Sequence, residues 1–463
     1  MLESIWIENF KSYKTGQTLP LAPITLLIGA NASGKSNAIE AFRFLSWFAG
    51  GEKLSTIKNR INDSEKIFRG DFRNLFYLNE KHFSLGVSLS IGLSQNFEKW
   101  NFSIEYCNDE DFKVKNEEIF LRDGEVFCFI DNKVNTLMHN FKKDFLNING
   151  LIPQNKIILL DLIRNDVVIN RIEKNVDSDS SALTTISGLV DEQLSKYLED
   201  NNHNYTALQL ITELFLIRSI FSVFFYFYDF APSKMRQDSL SSNRLHQNGE
   251  NLSGVLYYLW HDEENNCQND ILKFVSSLPE QDFKTLKFYK DHRDRVELAL
   301  VENFAGKEKE WGIELLSDGT LRVLGIAAAI LSAPKESTIV IEEIDNGIHP
   351  SRAKYLLDTM FYFAEKKNLK LLLSTHNPAL MDALPDQALG DVVFAYRDPK
   401  EGDSRLVRLS DLEDYVGLVS QGPLGELVTQ GIVDRFVKNP ISRDDKKQKA
   451  LSWLNEMRGA SNE

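Results

Sequence analysis

The chain has 463 residues, of which 43% are hydrophobic and 11% aromatic, enough for a buried core and for two or three domains. Its formal net charge of −14 argues against a protein whose whole surface grips nucleic acid, because neutralising phosphates needs clustered Lys and Arg. The 3 cysteines lack C-x-x-C spacing, which argues against a disulfide framework or a structural zinc site and predicts a cytoplasmic protein.

Two strand-like segments open the chain, ESIWIENF and PITLLIG, and the second leads directly into GANASGKS at residues 29–36. This G-x-x-x-x-G-K-S spacing lies between a strand and a helical pattern. Its glycines would let successive N–H groups point at phosphate oxygens at a helix N-terminus. Lys35 would reach the β- and γ-phosphates, and the Ser36 hydroxyl would take one coordination position on Mg²⁺. The pattern predicts a nucleotide-phosphate loop, with a plain glycine-rich turn as the alternative.

The segments that follow have a different character. Apolar and polar residues alternate over residues 83–91 and 100–106, which predicts half-buried antiparallel strands, and Asp123 with Gly124 predicts a hairpin turn. Residues from about 140 to 230 have a helical pattern. The most apolar stretch, residues 208–234, contains charged residues that are costly in a bilayer, so a buried helix running into a strand is favoured over a membrane span.

Three further motifs lie in the C-terminal half, after a polar segment at residues 236–250 that is typical of a loop. ELLSDGTLRVLGIAAAIL predicts a Ser-Asp-Gly-Thr turn opening a helix. STIVIEEIDNGIHP predicts a buried strand ending in carboxylates, and LKLLLSTHNP an apolar strand ending in Ser-Thr-His. Each motif alone has an ordinary explanation, such as a helix cap or a surface charge. The tail predicts a strand pair, VVFAYRD and SRLVRLS, followed by helices around LGELVTQGIVDRFVKN.

In this order, the motifs resemble an ATPase with an ABC-type head, of the group that includes RecF, SMC-like and OLD-family proteins. They are most similar to the compact bacterial ABC-like ATPases, often classed as AAA-type, that accompany effector proteins in anti-phage systems. The resemblance is carried by ENFKSYKTGQTLPLAPITLLIGANASGKSN, LSDGTLR, IEEIDNGIHP and LLLSTHNP, and NGENLSGVLYYL at residues 248–259 is similar to a segment of those proteins. It implies an α/β fold: a P-loop head with a mixed sheet, an antiparallel β-subdomain and a mainly helical insertion.

The resemblance also implies ATP and Mg²⁺ as ligands and assigns roles to particular residues. Glu342 stands where such proteins hold the Walker B carboxylate that anchors Mg²⁺, together with Ser36. Glu343 stands where they keep the base that polarises the attacking water, and His376 where a switch histidine contacts the γ-phosphate. The expected catalytic set consists of Lys35, Glu343 and His376. The expected nucleotide-binding residues are Gly29, Asn31, Ser33, Gly34, Lys35, Ser36, Asn37, Ser317, Asp318, Gly319 and Asp345.

In related heads the signature turn, here Ser317 to Gly319, caps the γ-phosphate bound by a second protomer, and Asp345 with Asn346 would form a loop that crosses to that partner. The resemblance therefore implies a head-to-tail dimer with nucleotide between the subunits. This chain departs from the pattern in three ways. Glu342 stands where Asp is commoner, LSDGT lacks the second glycine of transporters, and residues 67–74, IFRGDFRN, hold the place of a Q-loop without a glutamine.

Four parts are predicted: an N-terminal lobe of the head at 1–140, a helical partner surface at 141–235, a C-terminal lobe at 236–390 and a docking element at 391–463. Three functions stay open. The first is an ATP-driven switch that controls a separate effector, such as a nuclease or toxin. The second is a repair ATPase that clamps DNA through the basic runs 287–295 and 443–449. The third is a scaffold that holds ATP and hydrolyses it slowly, and no membrane partner is expected for any of them.

Overall fold

The structure is a computed structural model that describes residues 2–56, 67–78, 80–90, 97–107, 112–121, 126–130, 133–137, 157–159, 172–174, 224–262, 267–276, 282–304 and 306–438. The chain divides into two compact units. The first comprises Met1–Leu21, Ser36–Phe227 and Pro334–Val340, and the second Ala22–Lys35, Tyr228–Ala333 and Ile341–Glu463.

The strands, in chain order, are β1 (Leu2–Glu8), β2 (Gln17–Pro20), β3 (Ile24–Ile28), β4 (His82–Leu89), β5 (Phe97–Tyr106), β6 (Phe112–Leu121), β7 (Val126–Ile130), β8 (Lys133–Leu137), β9 (Ile157–Leu159), β10 (Ile172–Lys174), β11 (Phe225–Tyr228), β12 (Ser239–Leu240), β13 (Phe283–Lys290), β14 (Arg295–Phe304), β15 (Lys307–Gly312), β16 (Thr338–Ile341), β17 (Lys370–Ser374), β18 (Val393–Arg397) and β19 (Ser404–Arg408). The α-helices are α1 (Lys35–Ala49), α2 (Pro232–Met235), α3 (Leu252–Trp260), α4 (Gln268–Val275), α5 (Asp318–Ser332), α6 (Pro350–Lys367), α7 (Pro378–Asp382), α8 (Tyr415–Val419), α9 (Leu424–Thr429) and α10 (Ile432–Lys438).

An antiparallel sheet of seven strands, in the order β2-β1-β4-β5-β6-β7-β8, organises the first unit. The alternation read from the sequence is confirmed: Phe83, Trp100 and Phe102 are fully buried on β4 and β5. They pack against aromatic residues of α1, with ring centroids 5.4 Å apart for Phe44 and Phe83 and 4.8 Å apart for Phe48 and Phe102. The predicted hairpin joins the antiparallel strands β6 and β7, but its turn lies outside the described residues.

The second unit contains a mixed sheet whose strands lie in the order β17-β3-β18-β19. In the second unit β3 pairs in parallel with β17 and β18, and β18 pairs antiparallel with β19, as predicted for the tail. The five residues of β3, ITLLI, are all buried, which explains their continuous apolar run. Parallel strands end at the same edge of a sheet, so the loops that follow β3 and β17 meet there.

The second unit also contains an antiparallel sheet. Its strands β12, β14 and β13 lie in that order, and β15 pairs with β14. Strand β12 falls in the segment predicted to be a loop. The helices of this unit follow the expected pattern, since α5 begins at Asp318 in the Ser-Asp-Gly-Thr turn and α9 and α10 lie in the predicted tail helices. The basic run at 443–449 lies outside the described residues.

The predicted helical insertion is described only in part. Strands β9 and β10 pair antiparallel within it, so these six residues are strand rather than helix, in keeping with the β-branched isoleucines of β9. Most of the helical pattern predicted over residues 140–230 lies outside the described residues, and so does most of the apolar stretch 208–234, whose later part forms the expected strand as β11. Over the described part of the chain, no helix is long and apolar enough to cross a membrane.

Candidate functional site

The turn between β3 and α1 has the shape of a phosphate loop. Gly29, Ala32 and Gly34 all have positive φ angles, of 140°, 63° and 115°. A side chain at Gly29 would collide with the backbone, since its Cβ would lie 2.2 Å from the Ala395 carbonyl oxygen. The position therefore needs glycine both for its backbone angle and for close packing. The sequence placed this turn correctly.

Lys35, the first residue of α1, folds back over this turn. Its Nζ donates hydrogen bonds to the carbonyl oxygens of Gly29 at 2.6 Å and Ala30 at 3.0 Å. Burial lowers the pKa of Lys35, and the nearby negative charge of Glu343 opposes that shift. The ammonium is thus a partly desolvated cation that gains from an arriving phosphate.

The remaining residues of the predicted phosphate loop differ in what they contact. Asn31 is exposed, whereas Ser33 is buried and its hydroxyl has no hydrogen-bond partner among the described residues. Ser36 and Asn37 are the second and third residues of α1, in the first unit. The Asn37 amide donates to the Ser12 hydroxyl at 2.7 Å, a contact that sequence reasoning missed.

The acidic pair follows β16, and the second carboxylate is held in a strained conformation. Glu343 is exposed and has a φ of 48°, a left-handed conformation that costs a non-glycine residue about 1–3 kcal/mol. Its backbone N–H donates to the Ser374 hydroxyl at 3.0 Å, and its carboxylate accepts from the Asn346 amide at 2.8 Å. These two bonds fix the carboxylate at the edge where β17 ends. Glu342 is half-buried, and its N–H reaches the Tyr228 carbonyl oxygen at 3.5 Å.

A second carboxylate reaches the residues that follow β17 from the same loop. Asp345 is only 8% exposed, and one of its oxygens accepts from the Thr375 hydroxyl at 2.7 Å. Its other oxygen lies 3.7 Å from Nδ1 of His376, whose side chain is 58% exposed. The sequence predicted Asp345 on a loop that crosses to a partner. Within its own protomer, the carboxylate of Asp345 turns inward toward Thr375 and His376, and the crossing to a partner stays a prediction.

The signature turn is closed by bonds within the protomer. Ser317 is the N-cap of α5, and its hydroxyl accepts from the Thr320 N–H at 3.1 Å. Asp318 forms an ion pair at 2.6 Å with Arg236, which no motif in the sequence pointed to. A Cβ at Gly319 would lie 2.2 Å from the Gly347 carbonyl oxygen, so the signature turn packs directly on the loop that follows Glu343.

The segment at 67–74, which lacks the Q-loop glutamine, contributes a charge network to the first unit instead. Arg69 donates to Glu40 of α1 at 2.6 Å, and Lys11 makes a short ion pair with the same carboxylate. Glu40 is buried, so two cations compensate one desolvated anion five residues after Lys35. A helix-spaced Glu in an apolar run is the only signal that the sequence offered for this network.

The second unit thus collects Lys35, Glu343, Ser374, Asp345 and His376 at one edge of the mixed sheet. Together with the unpartnered buried hydroxyl of Ser33 on the phosphate loop, this set of a cation and carboxylates suits a nucleoside triphosphate with its metal. Within the described residues no group of three or more His, Cys, Asp or Glu could hold a metal by itself. Such a set fits Mg²⁺, which usually takes one or two protein ligands and completes its shell with phosphate oxygens and waters.

Comparison with known proteins agrees with this geometry. Residues 24–129 and 177–382 match the family described as "AAA domain, putative AbiEii toxin, Type IV TA system". The chain belongs to this family. The match includes the phosphate loop, the signature turn, the acidic pair and His376, and with the mixed sheet it identifies an ABC-type ATPase head, as predicted.

Individual relatives are more distant. An ATP/GTP phosphatase of Helicobacter pylori is 21% identical over 411 residues, which span 86% of this chain and 90% of that protein. Structural maintenance of chromosomes protein 1 of Caenorhabditis elegans is 45% identical over 60 residues, 13% of this chain and 4% of that protein. A solved SmcHead bound to the C-winged helix domain of ScpA covers 88% of this chain and 96% of its own at 14% identity, with a TM-score of 0.44.

Proposed function

We propose that this protein is an ATP-hydrolysing switch in which the heads of two copies close on ATP and reopen after hydrolysis. The observation that carries the proposal is the cluster of Lys35, Glu343, Asp345 and His376 at one edge of the mixed sheet. The name of the Helicobacter pylori relative, a phosphatase of ATP and GTP that spans most of this chain, supports hydrolysis.

The residues divide the work of phosphoryl transfer. Lys35 leaves the carbonyls of Gly29 and Ala30 to bind phosphate oxygens, and the desolvation of its ammonium strengthens that attraction. Glu343, held by Asn346 and Ser374, orients a water for attack on the γ-phosphate. His376, oriented by Asp345, contacts the γ-phosphate and loses that contact after cleavage. Ser36 and Glu342 would hold Mg²⁺, which would neutralise negative charge at the phosphates.

The signature turn provides the reason for a dimer. Ser317 is exposed at the N-cap of a helix of 15 residues, whose N-terminal N–H groups attract an anion. In the proposed closed state this turn meets the γ-phosphate held by a second copy in head-to-tail arrangement. Closure then depends on ATP, because each phosphate joins two protomers.

The switch would act on a separate effector protein, a nuclease or toxin, in bacterial anti-phage defence in the cytoplasm. The family description, which names a putative toxin and a type IV TA system, supports the link to defence. DNA clamping has less support from the basic run at 287–295, which lies wholly within the described residues. There Lys287 makes a short ion pair with Glu310, and Lys290 lies 4.5 Å from the ring of Tyr257.

Phosphate release from Mg-ATP tests the enzymatic part. We expect Glu343→Gln to slow turnover about 10²-fold or more, since it removes the group that orients the water. Glu365→Gln, an exposed glutamate on α6, is the matched control and should turn over ATP like the parent. Equal turnover in Glu343→Gln and the parent would contradict hydrolysis by Glu343 and favour the ATP-holding scaffold.

A further inference from the structure

Arg236 closes the signature turn from a distant part of the chain. It follows α2, and its Nη2 donates to the Asp318 carboxylate at 2.6 Å and to the Leu316 carbonyl oxygen at 3.0 Å. The Arg236 side chain is 29% exposed and that of Asp318 is 64% exposed. The guanidinium therefore bridges the residue before the N-cap of α5 and the first residue of the helix.

The neighbouring residue, Met235, anchors this arginine. Met235 is fully buried. A Cβ at Gly325 of α5 would lie 2.8 Å from its Cε, and a Cβ at Gly249 would lie 2.9 Å from its Cγ. Met235 is thus packed between α5 and the turn of the NGENLSG segment. This packing fixes the backbone position from which the Arg236 side chain extends.

The same segment holds the loop that follows Arg236. Asn251 is buried, accepts a hydrogen bond from the His246 N–H at 2.8 Å and donates to the Arg244 carbonyl oxygen at 2.8 Å. Gly254 donates its N–H to the Ser239 hydroxyl at 2.9 Å. These contacts give the NGENLSGVLYYL segment, which no catalytic step uses, a structural purpose: it fixes residues 235–246 against α5.

Asp318 poses an electrostatic problem for the proposed dimer. A helix N-terminus attracts phosphate, but a carboxylate on the first helical residue repels it. The repulsion acts where the γ-phosphate of a second copy would have to approach Ser317. Arg236 places a compensating positive charge in direct contact with that carboxylate.

We propose that Arg236 is a positioning residue of the nucleotide site of the second protomer: it neutralises Asp318 and fixes the signature turn so that the γ-phosphate can approach Ser317. This inference rests on the proposed ATP-dependent dimer. It assigns Arg236 to charge compensation rather than to direct contact with phosphate.

The test uses the full chain with Glu343→Gln throughout, so that hydrolysis does not empty the dimer. The dimer dissociation constant is measured by sedimentation in Mg-ATP for this parent and for three variants of it. Two carry one further change, Arg236→Gln or Arg236→Lys, and the third carries both Arg236→Gln and Asp318→Asn. We expect Arg236→Gln to weaken the dimer about tenfold, and the added Asp318→Asn to restore it to within about threefold. Arg236→Lys, which keeps the charge, should stay within about threefold of the parent. Binding of a fluorescent ATP analogue by the monomer should be equal in all four.

Three results would overturn the inference. A dimer as strong in Arg236→Gln as in the parent would show that the pair is not needed. A defect that Asp318→Asn does not repair, or one that Arg236→Lys shares in full, would show that charge compensation is not its cause. If the parent itself does not dimerise with ATP, the proposed function fails and this inference fails with it, a result visible before any change at Arg236.

Discussion

Two helices of the same length, α1 and α5, each begin in a glycine-containing turn, and the two turns differ in structure. In the proposed dimer, the first turn of one copy and the second turn of the other contact the same γ-phosphate. The turn before α1 has three residues with positive φ, no acidic residue in the first helical turn, and the cation Lys35. The turn before α5 has its own hydroxyl cap, Ser317, and the acidic Asp318. The first can hold an anion by itself. The second is already capped within its protomer, and under the proposal it meets a phosphate only when another copy presents one.

The largest effect is expected for a change in the first turn, and it should appear in nucleotide binding by the monomer. Lys35→Ala should weaken binding of a fluorescent ATP analogue by the monomer about 100-fold, because it removes the desolvated cation of the first turn. Lys400→Ala, at an exposed lysine on the turn between β18 and β19, should bind like the parent. If Lys35→Ala kept its affinity, the first turn would not be the nucleotide-binding one.

The next effect should appear at the second turn and spare the first. In the Glu343→Gln background, Ser317→Ala and Ser317→Gly should each weaken the ATP-dependent dimer about tenfold while the monomer still binds the analogue. The two variants differ in stability, since losing an N-cap to alanine costs about 1 kcal/mol and to glycine only a few tenths. Equal dimer defects would point to the missing hydroxyl. If instead the dimer is weaker in whichever variant has the lower free energy of unfolding, the loss comes from the missing helix cap.

The smallest expected effect concerns pH and the first turn alone. In the unfolded chain Lys35 titrates near its ordinary pKa of 10.5, and burial lowers that pKa in the folded protein. Between the two values the unfolded state binds more protons, so the free energy of unfolding gains from Lys35 as the pH rises toward 10.5. Without nucleotide, urea unfolding should show a steeper rise in the parent than in Lys35→Met, with Lys400→Met as the control. Parallel profiles for the parent and Lys35→Met would contradict a buried, destabilised ammonium.

The sequence predicted the first turn far better than the second. Glycine spacing, a buried strand and a following helix are local signals, so β3, its loop and the start of α1 could be read directly. The partners of the second turn come from far along the chain: Arg236 lies 82 residues before Asp318. Such a contact leaves no periodicity in the sequence.

The carboxylates show the same limit. That Glu342 and Glu343 follow a strand was evident from STIVIEE, and so was His376 at the end of another strand. The inward turn of Asp345 toward Thr375 and the bond from Glu343 N–H to Ser374 depend on which strands are neighbours in the sheet. Strand order is a property of the whole fold, and a single strand does not encode it.

The native mass of Glu343→Gln with and without Mg-ATP, beside the same variant carrying Lys35→Ala, tests the central claim most directly. We expect the mass to double from that of one chain, 53.0 kDa, only with ATP and only when Lys35 is intact. A mass that stays fixed, whether as one chain or as a larger assembly, would show that ATP does not drive the heads together and would contradict the switch.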